Sequence, residues 1–192
     1  MSELRVARSE LILGGQKSGK SRRAEKLAAA WVGSSSAHRS VMIATAQVHD
    51  DEMRQRVLRH QRERAQRVPG MHTVEESSDL ATAIANAGGA ETLRVVDCLT
   101  LWLTCLMMPL DSERCSEDAV QARVNALLRA IEVSPGPIVL VGNEIGLGVI
   151  PLGREVRSFV DALGVLNQRV AEKCERVCLM AAGLPLLLKD EL

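Results

Sequence analysis

Aromatic residues are almost missing from this chain: 192 residues include one Phe, two Trp and no Tyr. Its core must therefore be aliphatic, built from Leu, Val, Ile, Ala and Met. Net charge is missing as well, since 24 basic residues balance 24 acidic ones. That balance argues against a bulk nucleic-acid or membrane-surface partner. No apolar run approaches the ~20 residues that span a bilayer. The five cysteines show no C-x-x-C spacing, and their odd number without a signal peptide reads as reduced thiols in a cytosol. Cys174 and Cys178 are spaced to share a helix face. His38, His49 and His72 stand too far apart in sequence for a zinc site. Interdomain linkers and repeats are lacking too, so residues 1–192 are expected to form a single domain. The last four residues, Lys189-Asp190-Glu191-Leu192, match an ER-retention address. With no entry signal at Met1–Val6, the match reads as coincidence.

What is present starts with Gly14-Gly15-Gln16-Lys17-Ser18-Gly19-Lys20-Ser21, which spells G-x-x-x-x-G-K-S after the apolar run Leu11-Ile12-Leu13. Glycines let successive backbone N–H groups point into one concavity that cradles polyphosphate oxygens. Lys20 is expected to reach the β/γ-phosphates and Ser21 to ligate Mg²⁺, while the helix opening at Gly19 adds its positive end. The substrate class is therefore a nucleoside triphosphate.

Short aliphatic runs alternate with helical stretches, predicting an α/β, phosphate-loop NTPase-like fold: a mainly parallel sheet with helices on both faces. The expected strands are Glu10–Leu13, Ser40–Ala44, Leu93–Asp97, Pro137–Val141 and Arg176–Met180, with Leu184–Leu188 as an edge strand because of Pro185. Helices are expected to begin near Gly19, Asp50, Ser78, Leu99, Ser116 and Arg154. Ligands of such sheets bind beyond the strands' carboxyl ends. The phosphate loop, Ala44-Thr45-Ala46-Gln47, Asp97 and Asn143-Glu144 follow four of these ends. An Asp at a strand end often caps the next helix, but beside a phosphate loop Asp97 fits better the acidic strand end that holds Mg²⁺.

Along Asp50–Arg67, Met53, Val57, His60 and Arg64 recur at helical spacing. The apolar pair would face the protein body, putting the imidazole and guanidinium on an inward or rim-facing line. Six arginines from Arg54 to Arg67 against one glutamate, Glu63, make a positive field suited to a triphosphate. Spacing alone fits equally a solvated basic helix with a buried, hydrogen-bonded His60. Farther on, Arg157 and Asp161 are spaced as an i,i+4 pair. Gly142, Gly146 and Gly148 around Asn143-Glu144 suggest close approach of backbone to a ligand, and Asn167-Gln168 reads as ordinary helix.

Taken together, these segments resemble the bifunctional adenosylcobinamide kinase / adenosylcobinamide-phosphate guanylyltransferase family of cobalamin biosynthesis. The likeness is carried by Gly14–Arg22, Ile43–Gln47, Asp50-Asp51-Glu52-Met53 with Arg56 and His60, and Val96–Trp102. Asn143-Glu144-Ile145-Gly146-Leu147-Gly148-Val149-Ile150-Pro151 and the tail Arg157, Phe159, Asp161, Asn167-Gln168 and Gly183-Leu184-Pro185 complete it. The resemblance implies that His60 takes GMP from GTP as a covalent phosphoramidate. It also implies nucleotide contacts from Ala44, Thr45, Ala46, Gln61, Arg62, Glu63, Arg64, Glu75 and Asp97, besides the phosphate loop. Mg²⁺ would be held by Ser21 and Asp97, ATP or GTP would serve as phosphoryl donor, and the assembly would be a cytoplasmic homotrimer. Where the family usually carries Ser or Thr before Asn143, this chain has Gly142. A monofunctional small-molecule kinase and a nucleotide-binding regulatory switch remain as rivals.

Overall fold

The computed structural model describes residues 4–47, 51–109 and 113–191; the expected helix start at Asp50 and the side chains of Met53 and Arg56 lie outside the described residues. Seven strands form one sheet. In chain order they are β1 (Ser9–Gly14), β2 (Arg39–Ala44), β3 (His72–Glu75), β4 (Thr92–Asp97), β5 (Ile138–Val141), β6 (Arg176–Ala181) and β7 (Leu184–Asp190). The sheet order is β3-β2-β4-β5-β1-β6-β7, parallel throughout except for β7, which runs antiparallel to β6 at the edge. All the expected strands are present; β3 is an addition. Pro185 is tolerated in β7 because an edge strand leaves one side without ladder bonds.

The helices are α1 (Lys20–Ser34), α2 (Asp51–Arg67), α3 (Leu80–Asn86), α4 (Leu99–Met107), α5 (Glu117–Glu132) and α6 (Arg154–Lys173). Strand alternation divides the aliphatic core between two faces. Leu11, Leu13, Ile43, Val96 and Leu140 pack with apolar residues of α3, α4, α5 and α6. Ile12, Met42, Val95, Val139 and Val141 turn the other way, onto Ala24, Leu27 and Ala28 of α1 and Val68 just past α2. Helices on both faces were expected, and both faces are covered.

Two buried charges brace the sheet. Glu10, fully buried on β1, takes Arg23 Nε of α1 at 2.7 Å and Arg176 Nη1 of β6 at 3.5 Å. Arg176 Nε also meets Asp190 of β7 at 3.1 Å, so one network joins the phosphate-loop strand, its helix and the sheet edge. Arg94, fully buried on β4, spends its guanidinium on backbone carbonyls of Ile84, Gly88, Gly89 and Thr92. These are main-chain acceptors in α3, in the loop beyond it and at the start of β4.

All five cysteines are free. Cys174 caps the end of α6 and Cys178 lies on β6, so the shared helix face expected for them does not exist. The chain turns from helix to strand between them.

Candidate active site

The phosphate loop needs backbone conformations open to few residues. Gly14 at φ 148°, Gly19 at φ 105° and Lys17 at φ 56° all depart from the usual negative range. A Cβ on Gly14 would lie 2.5 Å from the Met180 carbonyl oxygen and 2.7 Å from Ser18 Oγ. The loop is therefore wedged against the end of β6. The turn joining β6 to β7 backs it directly, with Gly183 N–H donating to Ser18 O at 2.9 Å. Inside this cradle Lys20 Nζ donates to Gly15 O at 2.6 Å. Burial lowers the Lys20 pKa, with Cys98 and Asp97 pulling it back up.

Ser21 and Asp97, far apart in sequence, meet: Ser21 Oγ donates to Asp97 Oδ2 at 2.9 Å. The helix after β4 is capped at Cys98 without a side-chain hydrogen bond, so Asp97 is not spent as a cap. Hydroxyl and carboxylate from the loop helix and the adjacent acidic strand end are hard oxygen donors that suit Mg²⁺. Among the described residues, no group of three His, Cys, Asp or Glu could enclose a metal alone. A metal here would complete its shell with phosphate oxygens and water, as Mg²⁺ ordinarily does.

Strand register draws the rest of the rim. Glu75, Ala44, Asp97, Val141 and Ile12 form one row across β3, β2, β4, β5 and β1. At about 4.8 Å per strand, Glu75 and Asp97 stand ~10 Å apart along it. Of the Ala44-Thr45-Ala46 segment, Thr45 is fully buried. Its hydroxyl donates to Cys98 O at 2.7 Å and accepts from Cys98 N–H at 2.8 Å. Thr45 thus clips the loop after β2 to the loop after β4, leaving Ala44 and Ala46 half-buried at the rim.

Helix α2 turns differently from the sequence expectation. The more buried positions are Val57, Gln61, Arg64 and Val68, a stripe of helical spacing. Arg64 is buried, but His60 is exposed. At 100° per residue, His60 sits roughly 70° round from the stripe's centre, on its flank. The inward facing and the buried imidazole are excluded, and the rim-facing and solvated readings are left. Arg67 at the end of α2 pairs with Glu25 of α1 at 2.7 Å and with Glu63 at 3.0 Å. Both helices return from the same edge of a parallel sheet. Counting ~1.5 Å per residue, His60 lies ~10 Å rimward of Arg67 and Lys20 ~7.5 Å rimward of Glu25. Both residues thus lie toward the loop edge of the sheet from the Arg67–Glu25 pair. A cleft of about 370 Å³ is lined by Arg54, Val57, Leu58, Gln61 and Glu75. Gln61 and Glu75 share its lining, whereas Arg62 and Glu63 are exposed.

One group at the rim was marked in the sequence by its place after a strand end but given no role there. Asn143 and Glu144 follow β5, and Glu144 N–H donates to Gly14 O at 3.3 Å, joining this segment to the phosphate loop. Thr100 Oγ1 accepts from Asn143 N–H at 2.8 Å. Asn167 of α6, buried, donates through Nδ2 to Asn143 O at 3.1 Å and to Glu144 Oε2 at 3.4 Å. The three glycines around Asn143-Glu144 were the available signal; Asn167 gave none. Arg157 bonds the Pro151 carbonyl at 3.0 Å, and among the described residues it makes no ion pair with Asp161.

A Walker-type loop, an acidic strand end against its serine and an order of β2-β4-β5-β1 define a phosphate-loop nucleotide-binding fold. Two solved structures share it: the flagellar accessory protein FlaH of Methanocaldococcus jannaschii and a Pyrococcus horikoshii OT3 protein. TM-scores are 0.51 and 0.54 at 10% identity, over 96% and 98% of this chain and 80% and 89% of theirs. Residues 10–188 match the family model described as cobinamide kinase / cobinamide phosphate guanyltransferase, and the chain belongs to that family. The bifunctional adenosylcobalamin biosynthesis protein CobP of Pseudomonas aeruginosa is 46% identical, over 95% of this chain and 98% of its own length. The Escherichia coli K12 protein CobU is 32% identical, over 93% and 98%.

Proposed function

We propose that this protein carries out two successive transfers. In the first, a hydroxyl on the aminopropanol arm of adenosylcobinamide attacks the γ-phosphate of ATP or GTP. In the second, His60 takes GMP from GTP, releasing pyrophosphate, and passes it to the phosphorylated corrinoid to give adenosylcobinamide-GDP. The observation that carries the reading is the Ser21–Asp97 contact beneath a phosphate loop, in a chain of this family. Ser21 and Asp97 would hold Mg²⁺, which supplies charge neutralisation to the transferring phosphoryl group. Lys20 adds a second cation there, close enough to the loop to bond its backbone.

An exposed imidazole supports the nucleotidyl step. A neutral ring can act as nucleophile, and two displacements are each easier than one. His60 is exposed on α2, next in sequence to Gln61 of the cleft and with Arg62 and Arg64 on the same helix. The guanidinium can offset charge building on the α-phosphate. Ala44, Thr45, Ala46, Gln61, Arg62, Glu63, Arg64 and Glu75 form the proposed nucleotide surface with the loop, Thr45 acting by holding its neighbours.

The cytosol is the proposed location, which free thiols suit. No described helix is long and apolar enough to cross a membrane. A homotrimer is the proposed assembly, supported by two separate exposed apolar tracts. One is Leu184, Leu186, Leu187 and Leu188 of β7; the other is Leu147, Val149, Ile150 and Leu152 after β5. A ring of three needs two different patches on each copy.

Incubation with α-³²P-labelled GTP tests the two-step reading. The expected product is an acid-labile, alkali-stable label on the wild type that is absent from His60→Ala. Phosphoryl transfer to adenosylcobinamide without any such label would leave a monofunctional kinase. Neither label nor transfer would leave a nucleotide-binding switch.

A further inference from the structure

We propose that Glu144 is the catalytic base of the phosphoryl-transfer step and that Asn167 positions it. This rests on the kinase half of the reading above. The argument begins with location. Val141 is in register with both Ile12 of the phosphate-loop strand and Asp97. Three residues on, Glu144 bonds Gly14 O through its own N–H, beside the first residue of the loop. A half-buried carboxylate at this point repels a polyphosphate, so as mere scaffolding it weakens nucleotide binding. It is useful there if it removes a proton from a neutral hydroxyl approaching the γ-phosphate.

The carboxylate is also held in place. Oε1 accepts from Gly146 N–H at 3.1 Å and Oε2 from Asn167 Nδ2 at 3.4 Å. A carboxylate offers about four acceptor sites, so this leaves lone pairs for an incoming hydroxyl. Among the described residues no Lys or Arg pairs with Glu144.

The orientation of Asn167 is dictated by its neighbours. Its amide nitrogen faces two acceptors, Asn143 O and Glu144 Oε2, and the reversed amide would set oxygen against oxygen. Its Oδ1 is buried with no partner among the described residues, and lies 3.3 Å from where a Cβ on Gly142 would stand. An asparagine at 4% exposure that leaves one acceptor unpaired is costly as a packing element. Its donor end aims the glutamate.

The proposed step balances simply. The substrate O–H bond breaks toward a Glu144 oxygen as the new O–P bond forms at the γ-phosphate. The bond from that phosphorus to the β,γ-bridging oxygen breaks, the nucleoside diphosphate leaves with the electron pair, and the proton passes from Glu144 to water. The proposed GMP-accepting ring belongs to α2, which follows β2, whereas Glu144 follows β5, with β4 between those strands.

The test compares wild type, Glu144→Gln, Asn167→Ala and the double variant. Each is assayed for adenosylcobinamide phosphorylation with γ-labelled ATP and GTP, and for self-labelling from α-labelled GTP. Glu144→Gln should lose at least about a hundredfold in phosphorylation kcat, within the usual range for a general base, with nucleotide KM no higher than that of wild type and no parallel loss of self-labelling. Asn167→Ala should lose about tenfold alone and nothing further in the double variant, because it acts through Glu144. Phosphorylation kcat within fivefold of wild type in Glu144→Gln overturns the assignment. So does a parallel loss of self-labelling, which would make the glutamate a support of the loop. An undiminished Asn167 effect in the double variant removes its positioning role. Wild type that phosphorylates without labelling refutes the His60 reading while leaving this comparison intact. Wild type that phosphorylates nothing refutes both the kinase half and this assignment.

Discussion

Lys20 faces two opposing demands: a phosphate loop needs its ammonium, and the fold buries it to 8% exposure. Desolvation lowers its pKa below the ordinary 10.5, against the pull of Cys98 and Asp97. The native chain thus binds this proton less tightly than the unfolded chain does. Below the native pKa the full penalty is present, and stability rises with pH from there toward 10.5. Lys20→Met, which carries no such penalty, should be more stable than wild type near pH 7, with the gap closing as pH approaches ~10.5. Denaturant midpoints across that range check it, and equal stability at neutral pH would contradict it. Single residues were unequally legible in the sequence. Asp97 stood out because an apolar run ended on it and a phosphate loop needed a partner. Asn167 was hidden because its neighbours Leu163, Leu166 and Val170 make it one more position of a packed helix. Of the two facings the sequence left open for His60, the inward one does not hold, because the buried line continues through Gln61.

Among the elements, β4 shows how a strand can depend on a side chain that reads as a flaw. Arg94 interrupts an apolar run, yet it satisfies the buried carbonyls of Ile84 and Thr92 and the shallower ones of Gly88 and Gly89. Arg94→Leu would strand these acceptors and should cost about 3 kcal/mol, the scale of unpaired buried polar groups. Equilibrium unfolding in urea measures it; a loss below ~1 kcal/mol would mean that other donors take over. Phosphate-loop strand and helix were readable because an apolar run, glycines and a helical pattern all agree there. Strand β3 was not, since His72-Thr73-Val74-Glu75 is exposed throughout and exists as a strand by pairing with β2. Helix α2 was readable as a helix but not in its attachment, which depends on the Arg67–Glu25 pair to a distant segment.

At the scale of the molecule, the strand order could not be read from the chain, although the layer architecture could. Alternation reveals two faces; it does not reveal that β1 lies between β5 and β6. That order is what gathers the loop, Asp97 and Glu144, and hence the site. The surface poses the complementary question. Leu186 and Leu188 of β7 are each 57% exposed, and Leu147 and Leu152 are 80% and 97% exposed on another part of the chain. Apolar groups this open along a strand edge invite pairing. Leu186→Glu with Leu188→Glu should shift the proposed trimer to monomer by light scattering, with the fold retained by circular dichroism. An unaltered mass would move the interface elsewhere.

The hydrogen bond from Ser21 to Asp97 also bears on the order of loading. A divalent cation arriving by itself would have to turn the hydroxyl away from its carboxylate and then find few further ligands from the chain. A cation already chelated by triphosphate brings most of its shell with it. Titration calorimetry should therefore show little heat from MgCl₂ added to protein alone and a strong signal once GTP is present, so that salt and nucleotide enter as one species.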